Sequence, residues 1–490
     1  MLRKYLHSIG VIGITEVILR FKGVILIPVL AQYLGTLNYG LGAQVSVIAS
    51  MLLPIALLGT NTASLRALPG EGLDRQLRGI FTLGAYYLIV AAAATLLLWS
   101  LSRPLADSFF GGREQASFVM LCSGVLASGL LTGLCHNYFQ ITGRTKSYAV
   151  MNLLQSAYSI GIAVGVVLMK GSIATLIFIE FSCDLLVAGG VLLYTGIKYG
   201  FYLPDWSLLK RFVKYGLPLV PAGYAAWMLN LSDRMVLSKY CGVAEVGVYS
   251  CIYSLGCMVI QLCFNPIWLM YPSMAAELYN RGQHGDLGNL FRQSTRLALG
   301  GFIPAVAGMA LISDPILRLF ATAEFAAESA IMPVVALGYM FLMLAAYFDV
   351  ALGLAGKQAW TTVAVCVAAT FNLGVNLWWI PRYGITGAAF AKLTGFALQF
   401  AIVLFVGRAC MPFPFDWRFF GKVLAATAGM GVVVWFLPKA PTPFWLMTDV
   451  LCGVAAYGAG MLLLRAVSPR EWQVLWQMVR AGKNQGGNAA

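Results

Sequence analysis

The sequence predicts an all-α integral membrane protein of about 14 transmembrane helices, built as two parallel-repeat six-helix lobes around a central cavity plus two extra C-terminal helices. Three observations predict it. Hydrophobic residues make up 60% of the 490 residues and charged residues only 11%, a balance that soluble domains do not keep. About 14 stretches reach the roughly 20 mostly apolar residues that cross a ~30 Å hydrocarbon layer. The third observation is internal repetition. Val29, Leu30, Tyr33, Gly35 and Gly40 align with Val236, Leu237, Tyr240, Gly242 and Gly247 at a lag of 207. Ser102 to Phe109 aligns with Ser313 to Phe320 at a lag of 211, and Ile141-Thr-Gly-Arg144 with Leu354-Ala-Gly-Lys357 at 213. Small loop insertions produce so slight a drift, and duplication in an apolar chain marks transporters that rock one half against the other.

In chain order the spans are expected near 9–34, 41–64, 79–101, 117–139, 147–169 and 172–197, which form the first lobe (1–197). The first follows Arg3 and Lys4, but it is too long and too charged for a signal-peptide core. A connecting segment (198–214) carries Lys210, Arg211 and Lys214; it reads as a short cytoplasmic surface helix that starts near Asp205, whose carboxylate suits an N-terminus. The second lobe (215–408) holds spans near 213–238, 245–270, 294–313, 329–355, 358–380 and 385–407, with a polar, partly helical segment from Pro272 to Arg296. Six spans per repeat is an even number, so both lobes enter the membrane in the same direction. Two more spans, near 419–437 and 445–466, lie outside the duplication within 409–467, after a Pro-rich loop. In 468–490, Trp472, Leu475, Trp476 and Val479 share one helix face, an interfacial helix ahead of a polar, disordered tail.

The net charge of +14 is a matter of distribution. With the N-terminus inside, cytoplasmic segments carry 22 Lys and Arg, external loops 7, and the spans four. The positive-inside rule then puts both termini in the cytoplasm, and the charge needs no nucleic acid partner. The ten cysteines fall mainly in spans, with no CxxC pair and no Cys/His cluster at metal spacing. No phosphate-cradling GxxxxGK[ST] loop is present, and no external loop exceeds about 20 residues. The chain therefore reads as a transporter and not an enzyme, with no cofactor and no metal.

Charges inside spans are the strongest functional signal, because each costs on the order of 2.5–3.5 kcal/mol at the bilayer centre on insertion scales. The first span carries Glu16, Arg20 and Lys22, with Glu16 and Arg20 on one face. They read either as a cationic anchor for a phosphate-bearing head group or as a structural ion pair. Glu180 and Asp184 lie four apart in the sixth span, where they suit cation or proton coupling, or else neutralise the cations of the first span. Lys392 lies one position from the repeat counterpart of Glu180 and offers an opposing positive wall. His136 and Asp349 are repeat counterparts near cytoplasmic ends, as gate residues or solvated ends. Asp233 and Arg234 sit near the outer end of the seventh span, where snorkelling relieves most of their cost. Asn152, Gln155, Asn230, Asn372, Asn376 and Gln399 read mainly as interhelical hydrogen-bonding groups.

These residues sit among motifs that resemble a known family. Leu34-Gly35, Tyr39-Gly40 and Leu58-Gly59-Thr-Asn-Thr-Ala-Ser-Leu-Arg66, then Tyr215-Gly-Leu-Pro218, Ser232-Asp233-Arg234, Gly242 and Val246-Gly247-Val-Tyr249-Ser250, resemble Wzx-type polysaccharide flippases of the multidrug/oligosaccharidyl-lipid/polysaccharide exporter superfamily, over roughly residues 5–410. The resemblance implies two lobes in a V around a cationic cavity. It implies an undecaprenyl-diphosphate-linked oligosaccharide as substrate, the bacterial inner membrane as location, and membrane lipid, a polysaccharide polymerase and export machinery as partners. On that basis Arg20, Lys22, Lys392 and Arg234 are expected at the head group, and Glu16, Glu180, Asp184, His136 and Asp349 in coupling by a proton or sodium gradient, or in gating. A count of 14 spans also fits lipid II flippases of the same superfamily. The sequence is compatible as well with a multidrug/cation antiporter, or with a membrane scaffold of a polysaccharide assembly complex.

Overall fold

The computed structural model describes residues 2–268, 270–411 and 414–466; the side chains of residues 2–21, Val24 and Pro266 fall outside the description, as does the interfacial helix expected in 468–490. Among the described residues every regular element is helical. The helices are α1 (Leu2–Leu57), α2 (Thr60–Ala67), α3 (Leu73–Ser100), α4 (Ser102–Phe109), α5 (Ala116–Ile141), α6 (Thr145–Leu168), α7 (Ile173–Tyr199), α8 (Trp206–Gly216), α9 (Val220–Cys241), α10 (Val243–Trp268), α11 (Tyr271–Asn280), α12 (His284–Phe320), α13 (Ala323–Ala326), α14 (Ile331–Leu354), α15 (Ala359–Cys410), α16 (Trp417–Trp435) and α17 (Pro443–Leu463). This is the form that hydrocarbon demands, since a helix satisfies its backbone groups within one segment.

Eleven helices among the described residues are long and apolar enough to span a bilayer. Two of these strings are double. α1 breaks at Gly35 (φ 69°, ψ 179°) and α15 at Gly384 (φ 55°, ψ −133°), both in left-handed φ space that glycine enters without a Cβ penalty. Each break divides one string into two spans. With α9, whose charges are buried in protein, the described helices are compatible with the expected count of about fourteen. The loops expected at 35–40 and 381–384 are thus reduced to single-residue hinges.

The chain packs as two compact units: Met1–Met258 with Leu317–Cys410, and Val259–Ile316 with Met411–Ala490. In the first unit, Leu77, Ile80 and Tyr87 of α3 meet Leu130 and Leu134 of α5, and Leu208 and Phe212 of α8 join that core. α8 begins where its sequence requires: the Asp205 carboxylate accepts from the amides of Ser207 (3.0 Å) and Leu208 (3.2 Å). The Ser207 hydroxyl on the same oxygen is the main cause holding the Asp205 carboxyl below its usual range. In the second unit α16 and α17 lie along α12. Tyr457 OH donates to Gly300 O (2.7 Å), and the Arg296 guanidinium sits 4.4 Å from the Phe419 ring and 3.7 Å from Asp416.

The duplication is visible in the backbone. Gly143 and Gly356, equivalent by sequence, share φ values of 67° and 70°. Each ends its helix in the same way, with Arg144 N bonding to Phe139 O and Lys357 N to Leu352 O, both at 2.8 Å. Gly35 and Gly242 likewise share left-handed φ, 69° and 96°.

Candidate functional site

Two polar clusters lie among the long apolar helices of the first unit, one for each half of the duplication. α1, α6 and α7 build the first. Lys22 Nζ lies 3.6 Å from Glu180 Oε1, with 30% and 36% of the two side chains exposed. Ser159 Oγ donates to the same Glu180 oxygen at 2.5 Å. Asp184, one turn along α7, accepts from Tyr158 OH and, at 3.2 Å, from Gln155 Nε2. The two acids thus have different partners: Glu180 faces a cation, whereas among the described residues the hydrogen-bond donors to Asp184 are neutral. Gln155, Tyr158 and Ser159 stand at i, i+3 and i+4 on α6, which turns one polar edge towards α7. Sequence reasoning named Gln155 but missed Tyr158 and Ser159; that spacing was the available signal. The side chains of Glu16 and Arg20 fall outside the described residues.

α9, α10 and α15 build the second cluster, and it is closed. Asp233 and Lys392 are fully buried, and Arg234 is 5% exposed. Lys392 Nζ lies 3.0 Å from Asp233 Oδ2 and donates to Leu229 O at 2.8 Å. Arg234 Nη1 lies 3.5 Å from Asp233 Oδ1, its Nε donates to Ser250 Oγ at 3.0 Å, and Tyr249 OH donates to Asp233 Oδ2 at 2.6 Å. The guanidinium is 4.7 Å from the Tyr253 ring centroid and the ammonium 5.6 Å from it. Snorkelling was expected to relieve Asp233 and Arg234; instead protein groups solvate them. Two cations share one carboxylate, and they also meet carbonyl, hydroxyl and ring partners. In this conformation Lys392 and Arg234 face Asp233 rather than an open wall.

His136 and Asp349 are half-buried on α5 and α14. The His136 ring packs 5.0 Å from Tyr148. His136 Nε2 and Asp349 Oδ1 have no hydrogen-bond partner among the described residues.

The halves meet at their shared glycines. A Cβ on Gly40 would fall 2.0 Å from Val243 O, and one on Gly247 would fall 2.1 Å from Thr36 O. Thr36 and Val243 are themselves repeat counterparts. The contact is reciprocal, as in an interface across a two-fold axis, where i meets j and j meets i. The small residues let two backbones touch. Around it Gln32 Nε2 donates to Leu319 O (2.8 Å), and Tyr39 meets Phe325 edge-on at 6.0 Å. At the far end of the second α1 segment, a Cβ on Gly59 would fall 2.3 Å from Gly216 O, and Arg66 Nη1 donates to Tyr215 OH at 2.7 Å. The motif Leu58 to Arg66 therefore docks on Tyr215-Gly216, and Tyr39-Gly40 on Val246-Gly247.

Comparison with known proteins agrees with this architecture. The family model described as "Polysaccharide biosynthesis protein" matches residues 5–276, more than half of the chain. A probable lipid II flippase MurJ of Rhizobium meliloti (strain 1021) is 24% identical over 316 residues, 60% of this chain and 58% of that protein. An uncharacterized membrane protein of Methanocaldococcus jannaschii is 24% identical over 196 residues, 39% and 38% of the two chains. The matched region thus spans 38% and 58% of these curated relatives. Among solved structures, lipid II flippase MurJ in an inward closed conformation superposes with a TM-score of 0.78 at 14% identity, over 92% of this chain and 98% of that one. An inward-facing multidrug resistance MATE family transporter gives 0.61 at 13% identity, over 79% and 97%. At such identity the likeness is one of fold.

Proposed function

This chain belongs to the polysaccharide biosynthesis protein family, and from that premise we propose that it is a flippase. Its cargo is an undecaprenyl-diphosphate-linked oligosaccharide, moved from the cytoplasmic to the outer leaflet of the bacterial inner membrane, with both protein termini in the cytoplasm. The two halves alternate in access, driven by a proton or sodium gradient, and the product passes to polymerase and export machinery. Flipping breaks no covalent bond, so the residues act by binding and by exchanging charge partners.

The placement of Lys22 carries the reading. It is a cation at membrane depth, part exposed, whose ion-pair partner Glu180 is also part exposed. A diphosphate entering there meets a positive charge that its carboxylate can release, and fixed cations offset the cost of taking phosphate out of water. Glu180, freed, and Asp184, held by neutral donors, are the groups for the coupling ion; Arg20 lies on the same helix. The sealed Asp233, Arg234 and Lys392 cluster keeps the second half rigid, and His136 and Asp349 are the gate candidates.

Reconstitution with a fluorescent undecaprenyl-diphosphate oligosaccharide tests this. Charge reversal by Lys22→Glu or Arg20→Glu abolishes transbilayer movement at normal protein levels, and unaffected movement rejects the anchor. A lipid II flippase is the second reading, favoured by a helix count compatible with about fourteen spans and by the MurJ-like fold. Faster movement of lipid II than of the oligosaccharide lipid decides for it. Efflux of organic cations with no lipid movement decides for a multidrug antiporter.

A further inference from the structure

A further group of cations lies where α5 ends, α6 begins and α7 ends, apart from the site above. Arg144, at the α5–α6 turn, donates from Nη1 to Tyr138 OH at 2.6 Å and from Nη2 to Tyr199 OH at 2.7 Å. Its guanidinium carbon is 5.2 Å and 5.3 Å from the same two ring centroids. Lys198, in the last turn of α7, places Nζ 5.4 Å from the Tyr199 ring and 5.6 Å from the Tyr194 ring, and donates to Tyr194 OH at 3.4 Å. The result is a ladder in which tyrosines alternate with two cations. It runs from Tyr138, which is 1% exposed, out to Tyr194, which is 58% exposed.

Two features separate this ladder from an ordinary basic surface. Among the described residues neither Arg144 nor Lys198 forms an ion pair with a carboxylate, so the group keeps both positive charges. Phenol hydroxyls also hold the guanidinium in place, and only some of its five N–H donors are engaged. Its outer rung stands beside the exposed Leu193 and Ile197 on α7, which in a bilayer face acyl chains. Charge at head-group level and an apolar flank below it match one kind of molecule.

The geometry points to a binding site for an anionic phospholipid, whose phosphate is held between Arg144 and Lys198 while its chains lie along α7. Phosphate is the anion that guanidinium and ammonium recognise together, and phenols can donate to its remaining oxygens. The site is open to the bilayer and does not depend on which substrate the protein flips. Because α7 leads into the segment that ends in α8, a lipid bound there anchors the junction between the first half and its connector.

The test uses the full-length protein in nanodiscs of phosphatidylcholine with a minor fraction of phosphatidylglycerol, with retained lipid read by native mass spectrometry. Wild type should retain phosphatidylglycerol over phosphatidylcholine. Lys198→Gln should lower that preference roughly fivefold, and Arg144→Gln with Lys198→Gln should lower it by about that factor again, as expected for each basic group near an anionic surface. Equal retention by wild type and the double variant overturns the site, as does a wild type without preference. Should loss of Arg144 unfold the turn, exposed Lys198 still decides the matter, because an unchanged preference in Lys198→Gln removes it from the site. Inorganic phosphate at matched ionic strength should not displace the lipid; displacement would assign the ladder to a soluble phosphate compound instead.

Discussion

Replacing Gly247 with valine should drive the halves apart at the end proposed to face outwards. The Cβ would sit 2.1 Å from Thr36 O, against 3.4 Å for ordinary contact, so the two helices must separate by about 1.3 Å. The obstacle is backbone, so no side-chain rotation relieves it. Overpacking of this kind costs about 1–3 kcal/mol, charged only to the state in which the crossing is closed. That shifts the balance between closed and open by a factor of about 5 to 150. The assay pairs flipping in proteoliposomes with labelling of Thr36→Cys by a membrane-impermeant maleimide in whole cells. Gly247→Val should flip at least several-fold more slowly and label faster at position 36, with normal amounts in the membrane. Gly40→Ala should act in the same direction, and the two together should be less than additive, because either one already parts the helices. Wild-type flipping and labelling in Gly247→Val would refute the view that this crossing closes in the transport cycle.

Asp233→Asn leaves two buried cations without a carboxylate and should cost about 3–5 kcal/mol, read as lost folded protein and a lower melting temperature; adding Lys392→Met should recover part of the loss. For coupling, Asp184→Asn and Tyr158→Phe should weaken the dependence of flipping on the ion gradient, measured by varying the gradient across proteoliposomes, and an unchanged dependence removes Asp184 as the ion carrier. Asp205→Ala removes the cap of α8 and should cost about 1 kcal/mol, seen as faster hydrogen exchange at Ser207 and Leu208 and little elsewhere.

Much of this architecture was legible because the duplication repeats its glycines. A lag of 207 predicted that Gly40 and Gly247 are equivalent, but not that they touch; only the axis that relates the halves brings them together. Span positions followed from apolar length, while the single-residue breaks at Gly35 and Gly384 looked like loops, since composition does not reveal that one left-handed residue suffices. The Glu180–Asp184 pair was visible from its four-residue spacing, and its two unlike environments were not, because Tyr158 and Lys22 come from other helices. Lys392 was readable as a costly charge in a span. Its partner Asp233 lies 159 positions away, a distance no helical period can bridge.

A lysine sealed against Asp233 is a counter-ion that the chain carries with it. It cannot be diluted, exchanged for another species or drawn off by a chelator, and its local concentration is fixed by a covalent tether whatever bathes either face of the membrane. The buried Asp233 carboxylate thus keeps a neutralising partner of its own, whatever the salt on either side of the protein.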